Sequence, residues 1–207
     1  MLFDIGANLT HSDFKDDLQT VLDRAKTASV LQMAVTGASL EGSKQAIALS
    51  EQFEGLFATV GVHPHHAEEI NDETLQMLAA LARSPSVVAI GETGLDYFRD
   101  FTPRDQQRRA FEGQLALAVE LGKPLFLHER DAADDFTAIL TKYRDRINSV
   151  VVHCFTGNAH ALTRYLDLDC HIGITGWICD ERRGSHLHSL IRDIPSHRLM
   201  IETDAPY

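Results

Sequence analysis

Four side chains of metal-ligand type each close a short apolar run. Glu92 follows the run 87–90, His128 follows 124–127, His153 follows 149–152, and Asp204 lies just past 198–201. Taken singly, each has an ordinary reading: a hydrogen-bonded core histidine, or a carboxylate that caps a helix. Taken together they make a different demand. Carboxylates and imidazoles gathered at one place, with no cation in the neighbouring strands, desolvate and repel unless something positive sits among them. A divalent ion meets that need, and mixed imidazole and carboxylate donors suit Zn, Mn, Mg or Fe(II) without choosing among them. The competing reading is a buried network held only by hydrogen bonds. A chelator separates the two, because it destabilises a metal protein and leaves the other unchanged.

Positioning these residues together requires elements that end at a common face. Eight β-like apolar runs occur, at 2–7, 32–36, 56–62, 87–92, 124–128, 149–154, 171–176 and 198–202. Patterns of helical spacing lie between them at 16–28, 42–52, 72–82, 105–122, 134–144, 159–166 and 187–194. Alternating β and α elements with short loops imply an α/β protein with a parallel sheet. Eight strands, and no Gly-x-Gly-x-x-Gly after the first, favour a closed (β/α)8 TIM-type barrel over an open dinucleotide-binding sheet. In such a barrel the chemistry gathers at the C-terminal ends of the strands. Those ends carry Asp4, Gly6 and Asn8; His63 and His65; Glu92 and Asp96; His128, Arg130 and Asp131; His153; and Glu202 and Asp204.

The chain of 207 residues suits one domain with one core, and no linker divides it. A barrel of this kind runs to about 250 residues, yet here the last strand pattern is followed almost at once by Tyr207. A single domain over 1–207 that lacks its final helix, C-terminally truncated, is the expectation, with an apolar strip exposed beside the first and last strands. The net charge of −11 argues against a broad basic face for duplex DNA, though not against one cleft that takes a short strand. Three cysteines without Cys-x-x-Cys spacing read as buried free thiols. No apolar run approaches the roughly 18 residues of a membrane span. No basic stretch followed by an apolar one opens the chain, so a cytoplasmic location is expected.

Five runs carry a resemblance. They are Gly61-Val62-His63-Pro64-His65, Ile90-Gly91-Glu92-Thr93-Gly94-Leu95-Asp96, Leu127-His128-Glu129-Arg130-Asp131, Val152-His153-Cys154-Phe155-Thr156-Gly157 and Ile201-Glu202-Thr203-Asp204-Ala205-Pro206-Tyr207. In this order, over essentially the whole chain, they resemble the TatD family of metal-dependent deoxyribonucleases. The stretch 173–184, with Trp177, Asp180 and Arg183, points to one branch of that family. The resemblance implies 3′-to-5′ exonuclease action on single strands. It implies that Glu92 is a carboxylate able to bridge two metals, that His128 and His153 ligate one metal, and that Asp204 ligates metal and accepts a proton from the attacking water. His63 and His65 would belong to the loop facing the substrate phosphate. Most relatives open with Asp-x-His-x-His, whereas this chain reads Asp4-Ile5-Gly6-Ala7-Asn8. One firmly held metal is therefore expected, with Mg²⁺ favoured for a weaker second position. Family chains normally continue past Asp-Ala-Pro-Tyr, in keeping with truncation.

The expected reaction is hydrolysis of a phosphodiester at the ends of single-stranded DNA or RNA. Asp204 is the candidate general base beside Glu92, and His63 or His65 the donor to developing charge on the phosphate. Arg130, Arg182 and Arg183 are candidate phosphate contacts. Tyr97, Phe98, Phe155 and Trp177 are candidate stacking rings for bases. Two rivals stand beside this reading. One is an amidohydrolase-like enzyme for a small ester or cyclic amide, which would favour a bridging lysine. The only lysine near the fifth strand, Lys123, lies at the wrong end. The other is a weak binding or quality-control module with a structural metal.

Overall fold

A computed structural model describes residues 1–207. Eight parallel strands form one sheet in sequential order. They are β1 Leu2–Ala7, β2 Val30–Val35, β3 Leu56–Val60, β4 Val87–Asp96, β5 Leu125–Arg130, β6 Val150–Val152, β7 His171–Ile174 and β8 Leu199–Ile201. The helices between them are α1 Leu18–Thr27, α2 Leu40–Gln52, α3 Asp72–Leu81, α4 Arg104–Leu121, α5 Ala133–Thr141, α6 Ala159–Asp167 and α7 Leu187–Leu190. The expected (β/α)8 barrel is the observed architecture. Strand interiors such as Val35, Ala58, Val60, Ile90, Leu127, Val150 and Ile172 are buried, as parallel strands covered by helices require.

The seam between the first and last strands closes through polar contacts. Asp4 accepts from the Thr203 N–H (3.0 Å) and the Thr203 hydroxyl (2.7 Å). The Asp204 N–H donates to the Gly6 carbonyl at 2.9 Å, and the Asn8 N–H to the Ala205 carbonyl at 2.8 Å. On the outer side of the same seam Leu2 and Ile201 are about half exposed, at 44% and 48%.

Several boundaries differ from the sequence expectation, each for a local reason. The helix expected at 42–52 starts at Leu40, because the Ser39 hydroxyl accepts the Gly42 N–H. Asn71 and Asn158 cap α3 and α6 in the same way. The helix expected over 187–194 is one α-turn followed by a 3₁₀ turn; its His188, Ser189 and Asp193 are weak helix formers, and Pro195 stops it. The fourth strand runs on to Asp96, four residues past Glu92.

That extension holds a bulge. Ile90 pairs with Leu125 and Thr93 with Leu127, so Gly91 and Glu92 oppose Phe126 alone. Gly91 and Gly94 have φ of +142° and +152°, and a Cβ on either would lie 2.0 Å or less from the Phe126 or His128 carbonyl oxygen. Only glycine fits there, and the bulge re-aims Glu92. Two buried glutamines on α4 fix the strand ends from outside. Gln114 accepts the Val62 N–H (2.8 Å) and donates to the Val62 carbonyl (3.0 Å) and the Thr93 hydroxyl (2.7 Å). Gln107 accepts the Asp96 N–H and donates to the Asp96 and Thr102 carbonyls.

All three cysteines are free. Burial pushes the Cys170 and Cys154 thiols up to about 12, but only Cys170 is fully buried; Cys154 is half-buried and Cys179 exposed, which corrects the expectation of three buried thiols. No helix is long and apolar enough to cross a membrane.

Candidate metal centre and its surroundings

Three imidazole nitrogens converge on one carboxylate oxygen. Glu92 Oε1 lies 2.8 Å from His153 Nε2, 3.1 Å from His128 Nδ1 and 3.4 Å from His63 Nε2. Glu92 comes from the bulge of β4, His128 from β5, His153 from the end of β6, and His63 from the turn after β3. Behind two of the imidazoles stands a second, buried carboxylate. His128 Nε2 lies 3.3 Å from Asp96 Oδ2, and His153 Nδ1 lies 3.3 Å from Glu202 Oε2. One ring nitrogen aimed inward and the other held by a carboxylate is the arrangement that orients metal-ligating histidines.

His63 is built differently. Its Nδ1 accepts the His65 N–H at 3.1 Å, so the neutral ring carries its proton on Nε2. Burial pulls its pKa well below the usual histidine value, against the opposing charge of Glu92. A neutral His63 therefore points an N–H at the centre, although its nitrogen, Glu92 and His128 lie within 4.8 Å of one another. The tautomer favours His128 and His153 over His63 as donors of lone pairs.

The charges show what the cluster lacks. Burial alone would suppress ionisation of His128 and His153. Asp96 and Glu92 overcome it at His128, and Glu92 and Glu202 overcome it at His153, so both pKa values rise. Burial would likewise raise Glu92, yet its interactions with His63, His153 and His128 carry it well below the usual value. Asp96 behaves alike, held down by His128 and His65 against its burial. The carboxylates around His128 and His153 thus favour positive charge at the centre. A divalent cation fits this donor set.

Asp204 stands beside the cluster without an ion pair to it. Its Oδ1 accepts from Asn8 Nδ2 at 3.0 Å. Burial pushes its carboxyl up to about 6, helped by Glu92 and Glu202 and opposed by His153. Asp204 and Cys154 both adopt positive φ, +53° and +45°, at the ends of β8 and β6. Such left-handed residues gather at functional sites.

The first-strand position is occupied rather than open. A Cβ on Gly6 would lie 2.6 Å from Glu202 Oε2 and 2.8 Å from the Phe126 ring. Glu202 cannot easily yield: it also accepts the Cys154 N–H at 2.5 Å. Phe126 stacks on His153 at 4.4 Å between centroids. Gly6→Ala is accordingly expected to cost about 1–3 kcal/mol, as overpacking does, and to weaken divalent-metal binding by displacing both supports of His153. Urea unfolding and titration calorimetry check this; wild-type values in both would contradict it.

Sequence reasoning singled out neither Glu202 nor Asp96 as a site residue. Both ended candidate motifs, but their roles depend on which imidazole each meets. His65 Nε2 lies 2.8 Å from Asp96 Oδ2, and its ring lies 4.7 Å from Phe101. Arg182 and Arg183 both turn to Asp180, with Arg183 Nε 2.7 Å from its carboxylate. Arg130 has no carboxylate partner and packs over the Phe98 ring at 4.0 Å. Tyr97 turns away to donate to Asp135, and Phe155 is buried in the core. Lys123 Nζ donates to the Val87 carbonyl at the opposite rim, so no lysine reaches the centre from β5.

The sequence and the fold have counterparts among known proteins. Residues 3–207 match the family model described as TatD related DNase. The chain is 48% identical over 206 residues to the "3'-5' ssDNA/RNA exonuclease TatD" of Klebsiella pneumoniae (strain 342), spanning all of this chain and 78% of the relative. It is 49% identical over 207 residues to the protein of the same name from Yersinia pseudotuberculosis serotype O:3, spanning 80% of that relative. Among solved structures, the TatD homologue YjjV of Escherichia coli K12 superposes with a TM-score of 0.91 at 31% identity, over 99% of this chain and 79% of that one. A TatD family hydrolase from Entamoeba histolytica gives 0.90 at 30% identity, over 100% of this chain and 74% of that one. Family match, full-span identity and fold agree, and the chain belongs to the TatD-related DNase family.

Proposed function

We propose that the protein is a divalent-metal-dependent 3′-to-5′ exonuclease that hydrolyses phosphodiester bonds at the ends of single-stranded DNA, and of RNA. The observation that carries this reading is the convergence of His128 and His153 on Glu92 Oε1, each braced from behind by a buried carboxylate. The names of the relatives, 3'-5' ssDNA/RNA exonucleases, supply the substrate class.

Glu92, His128, His153 and Asp204 would hold the ion, Mg²⁺ in this reading. When bound, it polarises the phosphate and acidifies water. The chain's own residues do the rest. Asp204, held at Oδ1 by Asn8, has its second oxygen free to take the proton of the attacking water. His63 directs its Nε2–H toward charge that grows on the phosphate. His65 is braced by Asp96 beside it, and Arg130, unpaired with any carboxylate, faces the phosphates of the strand. Arg182 and Arg183 can reach phosphate only by leaving Asp180. The reading takes residues 1–207 as one cytoplasmic hydrolase domain.

Digestion of a labelled single strand tests it. Mono-nucleotides should appear from the 3′ end, activity should vanish with a chelator and return with Mg²⁺, and the chelator should lower the melting temperature. Release of nucleotides without added divalent metal, or no release under any metal, would exclude the proposal.

A further inference from the structure

The loop after β4 leaves two large aromatic rings in solvent at the rim of the barrel. Phe98 is 56% exposed and Phe101 is 66% exposed. Exposed phenylalanines in pairs, beside a polar centre, call for a contact. Their surroundings state which kind. The Arg130 guanidinium lies over Phe98 at 4.0 Å and is 5.9 Å from the Trp177 ring. Arg183 lies over Trp177 at 4.3 Å. A guanidinium over a ring is held in place by the ring's negative face. One face of Phe98 is therefore backed by a cation, and its exposure leaves the other face open.

Arg130 is also placed by its strand. It follows His128 by two residues on β5, which puts it on the same face about 7 Å further along. Phe98 is placed by the centre itself. Its N–H donates at 3.1 Å to Asp96 Oδ1, and the other oxygen of Asp96 meets His65 and His128. The loop beyond β7 is folded round Asp180, which accepts the Arg182 N–H (2.9 Å) and pairs with Arg183.

From this we propose that Phe98, Arg130 and Trp177 form a single-strand platform beside the centre. A base stacks on the open face of Phe98 while Arg130 contacts a phosphate of the same strand. Stacked rings with an interleaved cation bind single strands with little regard to sequence, because every base has a flat face. The ligand class is thus a single-stranded polynucleotide longer than the nucleotide being removed. This rests on the exonuclease reading above and extends it to the strand beyond the scissile bond.

The single tryptophan, Trp177, makes binding visible without turnover. In a metal-free titration with an oligothymidylate, wild-type protein should show quenched Trp177 emission. Phe98→Ala should weaken binding by about tenfold. Arg130→Gln should reduce the slope of log affinity against log salt by about 0.7. With metal, the ratio of kcat/KM for the oligonucleotide to that for a nitrophenyl nucleotide ester should also fall about tenfold in Phe98→Ala. Phe98 is on the surface, so this variant folds. Unchanged affinity and an unchanged ratio in Phe98→Ala would overturn the platform even if wild type digests strands. Wild type that binds strands with the expected Phe98 and Arg130 dependence but never cleaves them would overturn the nuclease reading and leave the platform standing.

Discussion

Glu92→Gln should lower the turnover of single strands by about a thousandfold or more, because the acidification of water at the centre is lost with the ion. Glu92 Oε1 is the point on which His153, His128 and His63 meet, at 2.8, 3.1 and 3.4 Å. Glutamine keeps the size of the side chain and removes its charge. The neutral amide is a much poorer donor to a hard cation, and it no longer offsets charge on His128 and His153. Divalent-metal affinity should fall by at least about a hundredfold, and calorimetric titration reads that independently of any assay. Shape is kept, so circular dichroism should remain that of wild type. Near-wild-type turnover with near-wild-type metal affinity would remove Glu92, and the centre built on it, from the mechanism.

Asp204→Asn should lower kcat by about 10²–10⁴ while KM stays within a few-fold, as loss of a general base does. Asparagine cannot take a proton, yet its amide oxygen can still accept from Asn8. It also tolerates positive φ well, so the +53° conformation at 204 survives the exchange. The split is what discriminates. A residue that only bound strand would raise KM, and one that only shaped the loop would lower stability. Initial rates over a range of strand concentrations decide the matter, and an unaltered kcat would place the proton acceptor elsewhere.

Much of this protein was legible along the chain. Eight apolar runs alternating with helical spacing specify a parallel sheet, because burial on both faces and short crossovers are local properties. Once the strands are parallel and sequential, their C-terminal ends must share one face. Glu92, His128, His153 and Asp204 could therefore be grouped before any coordinates. Other features had no local signature. The bulge that turns Glu92 inward exists because Gly91 and Gly94 pass within contact of β5, and the sequence pattern ended the strand early instead.

The division of labour among the polar residues was decided only by closure. Asp4 looked like the head of a ligand motif, but it staples the seam through Thr203, 199 residues away. Gly6 looked like a missing ligand, but Glu202 fills its place. His63 and His128 look alike as residue types; a backbone N–H on Nδ1 of one and a carboxylate on Nε2 of the other set their protons differently. Arg182 and Arg183, on the loop after the seventh strand, were the more attractive phosphate contacts along the chain, but both turn to Asp180, whereas Arg130 has no carboxylate partner. Periodicity records what each segment buries, and the chain alone determined that much. Which oxygen faces which nitrogen depends on strand register and barrel closure between residues far apart in sequence, and only the tertiary structure contains it.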